Sequence, residues 1–162
     1  MRFLLAAAIL SSTLLFAATE KLIIDAKNFE TNDAKGITTF TGDVKFRMTK
    51  DKLDSQRLEI YMKPNTKGKV KQPLKYIASG KASFEIHTNG KVYKGKGEKI
   101  IYNPIKQEYT VIGNGYIKEE TEKRELFGET IYINQITGNA KVEGSSNKPV
   151  RFIINVDNGG KN

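Results

Sequence analysis

Apolar residues recur at every second position over most of this chain, and the helical spacing of three and four is nearly absent. A two-residue period places one set of side chains on one face of an extended strand and the next set on the other. Val44, Phe46 and Met48 share a face, with Lys45 and Arg47 opposite. Leu58, Ile60 and Met62 repeat the pattern, and so do Ala82, Phe84 and Ile86. Tyr109 and Val111 share parity with Gly113, Gly115 and Ile117, and Ile131 pairs with Ile133. Turn residues separate the runs at Asn32-Asp33, Asn65, Asn89-Gly90, Asn103-Pro104 and Thr137-Gly138-Asn139. Asn89-Gly90 between two alternating runs is a two-residue hairpin signal. Strands at roughly ten-residue spacing predict an all-β sandwich, barrel or jelly roll.

A weak repeat runs through the pattern. Gly42, Gly80, Gly113 and Gly138 each open a Gly-x-small-x-apolar string. The spacing predicts four strand starts in a stack of strand-turn-strand units, none of which can bury its apolar face alone. Residues 63–75 hold five Lys, two Pro and one Gly, and predict a long hairpin loop.

Residues 1–18 stand apart. Arg2 precedes an apolar stretch that ends at Ala17-Ala18, the layout of a secretory signal peptide cleaved near those alanines. Leu15 and Phe16 are large for the position three before either cut, so a retained anchor is the rival reading. Sixteen apolar-run positions from 3 to 18 fall short of the ~20 that a spanning helix needs. The expected organisation is a leader over 1–18, one β domain over 19–156 and a frayed tail over 157–162.

Composition then narrows the function. The chain of 162 residues has no Cys, no Trp and a single His, His87. That removes disulfide frameworks, Cys-ligated zinc, thiol nucleophiles and a lipid-modified N-terminal Cys. No nucleophile elbow or phosphate loop is present, His87 lies on the polar side of its run, and Asp51 and Asp54 sit among Lys50, Lys52 and Arg57. An enzyme is not expected, nor a metal, nor a cofactor. The net charge is +9, concentrated in residues 45–75 with ten basic and three acidic side chains. This reads either as a solvated exterior whose lysines blunt sheet edges or as a rim for phosphate and carboxylate groups. The export signal and the scarcity of Arg argue against nucleic acid, since Arg is the usual bidentate reader of bases.

Three motifs in order carry a resemblance. Residues 22–26 (LIIDA) lead to 39–44 (TFTGDV); 93–95 (YKG) lead through 100–102 (IIY) to 111–117 (VIGNGYI); and 127–129 (FGE) lead through 131–133 (IYI) to 138–140 (GNA). In order and spacing they resemble the OstA-like family of periplasmic lipopolysaccharide transport proteins, from about residue 22 to residue 142. The resemblance implies a twisted, open antiparallel β-jelly roll of about sixteen short strands. It implies a groove for the acyl chains of lipid A, and head-to-tail stacking between an LptC-like inner-membrane protein and an LptD-like outer-membrane protein. The loop at 63–75 is longer and more basic than the resemblance leads one to expect.

Exposing each CH₂ costs about 0.8 kcal/mol, so a 14-carbon chain costs on the order of 10 kcal/mol in water. The alternating faces supply candidates to cover it: Val44, Phe46, Phe84, Ile86, Ile100, Tyr102, Val111, Ile117, Ile131, Ile133 and Val142. Parity alone does not separate groove lining from ordinary packing. The candidate edges for stacking are residues 22–26 and 150–156, with Leu22, Ile23, Ile24, Val150, Phe152 and Ile154 as their apolar positions. Two other readings remain open: an LptC-like anchored component of the same route, and an exported β module that binds acidic glycans through its lysines.

Overall fold

The computed structural model describes residues 20–63 and 72–159. The leader expected over 1–18, most of the basic loop over 63–75 and the last three residues lie outside the described residues. Among the described residues ten strands form one sheet: β1 (Leu22–Asp25), β2 (Asn28–Asn32), β3 (Ile37–Met48), β4 (Asp51–Met62), β5 (Pro73–Thr88), β6 (Lys91–Asn103), β7 (Glu108–Glu119), β8 (Arg124–Asn134), β9 (Ala140–Glu143) and β10 (Arg151–Ile153). The order is β1-β3-β4-β5-β6-β7-β8-β10, with β2 also on β3 and β9 also on β8. Every pairing is antiparallel. From β3 to β8 each strand neighbours the next, and turns of two to four residues join β3 to β4 and β5 to β6, β7 and β8 in succession. At Asn89-Gly90 both residues have positive φ, 50° and 72°, as the predicted two-residue hairpin turn requires.

The all-β antiparallel jelly roll is as expected, but the strands are fewer and longer. Gly42, Gly80 and Gly113 do not start strands; they lie in the middle of β3, β5 and β7. Each is followed by a second residue with positive φ (Asp43, Lys81, Asn114), and the ladder continues beyond the pair. These are bulges, which bend a strand without ending it. Two residues on the odd strand oppose one on the even strand: 42 and 43 face 56, and 113 and 114 face 129. Only Gly138 precedes a strand, in the turn before β9. Among the described residues the strands number ten rather than about sixteen, because each of the six long ones runs on through the bend.

The bends line up across the sheet and fold it into two half-sheets. Half-sheet I contains β2, β9 and the portions near 37–41, 57–62, 73–79, 99–103, 108–112 and 130–134. Half-sheet II contains β1, β10 and the remaining portions. Their inner faces meet. Phe46 of II is edge-on to Tyr76 of I, with ring centroids 5.7 Å apart. The core is apolar and drawn from both halves: Leu58, Ile60, Tyr76, Ala78, Ile100, Val111 and Ile131 from one, Val44, Phe46, Ala82, Phe84, Ile86 and Ile117 from the other. Ser55 is the buried polar residue at the bend, and its hydroxyl donates to the Arg57 carbonyl at 3.0 Å.

Candidate functional site: the interior between the half-sheets

Register places the inner side chains in rows that run across the strands. Next to the bend, Phe40, Leu58, Ala78, Ile100, Val111, Ile131 and Val142 stand opposite one another in sequence on half-sheet I. The facing positions of half-sheet II are small, and that lets the two sheets close. A Cβ at Gly97 would lie 2.7 Å from Val111, one at Gly115 3.2 Å from Ile131, and one at Gly128 2.3 Å from Val142. These distances are well inside carbon–carbon contact at about 3.5–4.0 Å. Farther from the bend, half-sheet II carries Ile24, Phe46, Leu53, Phe84, Gly95, Ile117, Leu126 and Phe152 in one row. Half-sheet I carries Ile60, Tyr76, Tyr102, Tyr109 and Ile133.

Two cavities lie between these rows. The larger, about 250 Å³, runs from Phe84 and Tyr109 in the middle of the sheet to Phe152 at the β10 edge. The smaller, about 30 Å³, lies toward β3 among Phe46, Leu53, Tyr76, Ile100 and Tyr102. This divides the eleven predicted lining residues. Phe84, Ile86, Ile117 and Ile133 line the larger cavity, and Phe46, Ile100 and Tyr102 the smaller, which Phe84 and Ile86 also touch. Val44, Val111, Ile131 and Val142 line neither; they pack among the core residues, three of them against the small residues at the bend.

Sequence reasoning missed Tyr93, Tyr109 and Leu126, which line the larger cavity, and Leu53 and Tyr76, which line the smaller. Tyr109 lies on the predicted face and was not among the candidates. Leu53, Tyr93 and Leu126 have the wrong parity, because the single bend residues Gln56, Glu98 and Glu129 turn each even strand over. The available signal was a small residue followed by Gln or Glu, at Ser55-Gln56, Gly97-Glu98 and Gly128-Glu129.

Five rings thread the interior. Phe46, Tyr76, Tyr102, Tyr109 and Phe84 follow one another at centroid distances of 5.7, 6.0, 4.2 and 6.0 Å. Burial pushes Tyr109 far above the ordinary phenol value, and raises Tyr76 and Tyr102 as well. At the mouth, the buried Glu119 carboxylate accepts from the Thr121 and Glu122 amides at 2.8 and 2.9 Å, with Arg124 3.7 Å away. Burial alone would raise its pKa; these amide donors outweigh that and lower it.

The outer faces carry the charge. Arg47 holds Asp54 at 2.6 Å and Arg57 holds Glu59 at 2.8 Å. Lys52 lies 3.7 Å from Glu85, whose Oε1 is 2.9 Å from His87 Nε2. Asp51 accepts from the His87 amide at 2.8 Å. Among the described residues no group of three His, Asp or Glu is placed to hold a metal ion.

Among the described residues the outer strands at the two ends of the sheet pair on one side alone. Leu22, Ile23 and Ile24 lie on β1 at one edge, and Phe152 lies on β10 at the other, with Val150 and Ile154 flanking it. All but the half-buried Ile24 are exposed. The structure adds a second edge strand at each end, β2 and β9, that the sequence reading did not single out.

Fold and interior together define an open antiparallel β-jelly roll with an apolar cavity reaching one end. The profile of the family described as "LptA/(LptD N-terminal domain) LPS transport protein" matches residues 23–139. The chain belongs to that family, whose members are transport proteins and not enzymes. Among solved structures it is similar to LptH of Pseudomonas aeruginosa, described as the LptA-homologous periplasmic component of the lipopolysaccharide transport device. The TM-score is 0.72 at 16% identity, over 84% of this chain and 96% of that one. Comparison with curated proteins finds no match.

Proposed function

We propose that this chain is a periplasmic lipopolysaccharide carrier that shelters lipid A acyl chains between its half-sheets and passes them along a stack of copies. The observation that carries the reading is the cavity of about 250 Å³ that reaches Phe152 at the β10 edge. An acyl chain there exchanges water for Phe84, Ile117, Leu126 and Ile133, each buried methylene contributing about 0.8 kcal/mol. The sugar and phosphate head stays outside. Export with cleavage near Ala17-Ala18 would release the domain over 19–156.

Stacking follows from the edges. Ile24 on β1 and Phe152 on β10 occupy opposite ends of one apolar row. A second copy that adds its β1 to β10 by strand augmentation would continue that row across the junction. Such a contact is head-to-tail and does not close, so it propagates. LptC-like and LptD-like proteins with a similar edge would terminate the stack at the inner and outer membranes.

Photo-crosslinking in the exporting cell tests the lipid path. A probe at Phe84 or Ile117 should attach lipopolysaccharide, and one at Glu85 or Tyr116, on the outer face, should not. Equal labelling at all four, or none at the first two, would overturn the proposal.

A further inference from the structure

The interior is not a uniform trough. Phe84, Ile86 and Tyr109 belong to the walls of both cavities, so they stand between them. Phe84 rises from half-sheet II and Tyr109 from half-sheet I, and their rings stack across the gap at 6.0 Å and 26°. Each ring is braced from behind. Phe84 lies over Gly95, where a Cβ would come within 2.3 Å of its ring, and Tyr109 stacks on Tyr102 at 4.2 Å. Beyond them, toward β3, Tyr102, Tyr76 and Phe46 fill the space and leave only about 30 Å³.

We infer that the Phe84–Tyr109 pair is a stop that sets how far an acyl chain enters from the β10 end, and so selects chain length. This deepens the carrier reading above and rests on it. A chain entering past Leu126, Ile117 and Ile133 finds apolar wall until its tip meets the stacked rings. Each further methylene must then displace a braced aromatic pair or remain in water. Affinity should climb with chain length and break at the length that reaches the rings. The stop also makes the two ends of the molecule unequal: the β10 side takes chains directly, whereas the β3 side takes them only when the rings swing aside.

The test uses the full-length protein and straight-chain fatty acids of increasing length, read by displacement of N-phenyl-1-naphthylamine. For the unaltered protein, affinity should rise about fourfold per added methylene and then flatten. Tyr109→Ala should move that break to longer chains, while Tyr109→Phe, which keeps the ring, should leave the break in place. Phe84→Leu is a milder second opening of the same stop and decides the matter if Tyr109→Ala does not fold. A break at the same length in folded Tyr109→Ala or Phe84→Leu, or no break in the unaltered protein, overturns the stop. Absence of any length-dependent binding overturns the carrier reading itself, and the stop with it.

Discussion

Gly95→Ala should cost about 2 kcal/mol, and Phe84 should account for nearly all of it. The added Cβ would stand 2.3 Å from Phe84 Cζ and 2.4 Å from Cε1, and 3.0 Å from the Tyr116 carbonyl oxygen. Restoring ordinary contact at about 3.5 Å or more moves the ring by over ~1 Å. The Tyr109 stack resists that movement on one side, and the free volume of the larger cavity accepts it on the other. Overpacking of a well-filled site costs about 1–3 kcal/mol, and the adjacent space keeps this case near the middle of that range. A loss of ~2 kcal/mol lowers Tm by about 4–8 °C in a domain of this size. Urea unfolding of both single variants and of Gly95→Ala with Phe84→Leu gives the coupling. Leucine lacks the two ring atoms that collide, so Gly95→Ala should cost less than ~0.5 kcal/mol in the Phe84→Leu background. Effects that add to within ~0.5 kcal/mol would place the cost elsewhere and refute the argument.

Ile131→Ala, fully buried at the bend, should lose about 3 kcal/mol in urea unfolding, whereas the half-buried Ile133→Ala at the cavity should lose about 1; equal losses would remove the distinction between packing and lining. Glu85, Glu119, Glu120 and Glu143 all have pKa values held below the ordinary 4.5. Their contribution is present above 4.5 and lost as pH falls through the depressed values, so Tm should drop below about pH 4.5, and less steeply in Glu119→Gln. An identical acid profile for that variant would count against the Thr121 and Glu122 amide contacts. Burial raises Tyr109 above the ordinary 10, and hydrogen bonding to Glu125 pushes Tyr116 up to about 12. The unfolded chain therefore ionises first, and stability should fall as pH rises above 10, less in Tyr109→Phe than in the parent; a flat Tm through that range would refute the burial argument.

The sequence made the all-β class and the inner face of the odd strands legible, because a two-residue bulge preserves parity. Val111 and Ile117 flank Gly113-Asn114 in phase, and both face inward. On the even strands a single residue takes the bend, and the phase reverses there. Leu58 and Ile60 point inward after Gln56, while Leu53 points inward before it. A reader following one period assigns Leu53, Tyr93 and Leu126 to the outside. Which inner residues line a cavity was not legible at all, since it depends on distance from the bend and on what stands across the gap. Val111 and Ile117 look alike in sequence; one is closed over by Gly97 and the other opens on free volume.

The same geometry explains why a chain can keep this fold at 16% identity to a solved relative over 84% of its length. The bend needs little chemistry: a two-against-one count on each strand pair, a small residue on half-sheet II, and an apolar residue facing it. Gly97, Gly115 and Gly128 meet the second requirement, and Val111, Ile131 and Val142 the third. The mouth rows are under a weaker constraint, because their side chains border space. Changes of volume at Phe84, Ile117 or Ile133 alter the cavity before they alter the bend. Such a molecule can reshape its cavity without redesigning how it folds, whereas a β-carbon added at Gly128 pushes on Val142 and so on β9, one of the two strands at that end of the sheet.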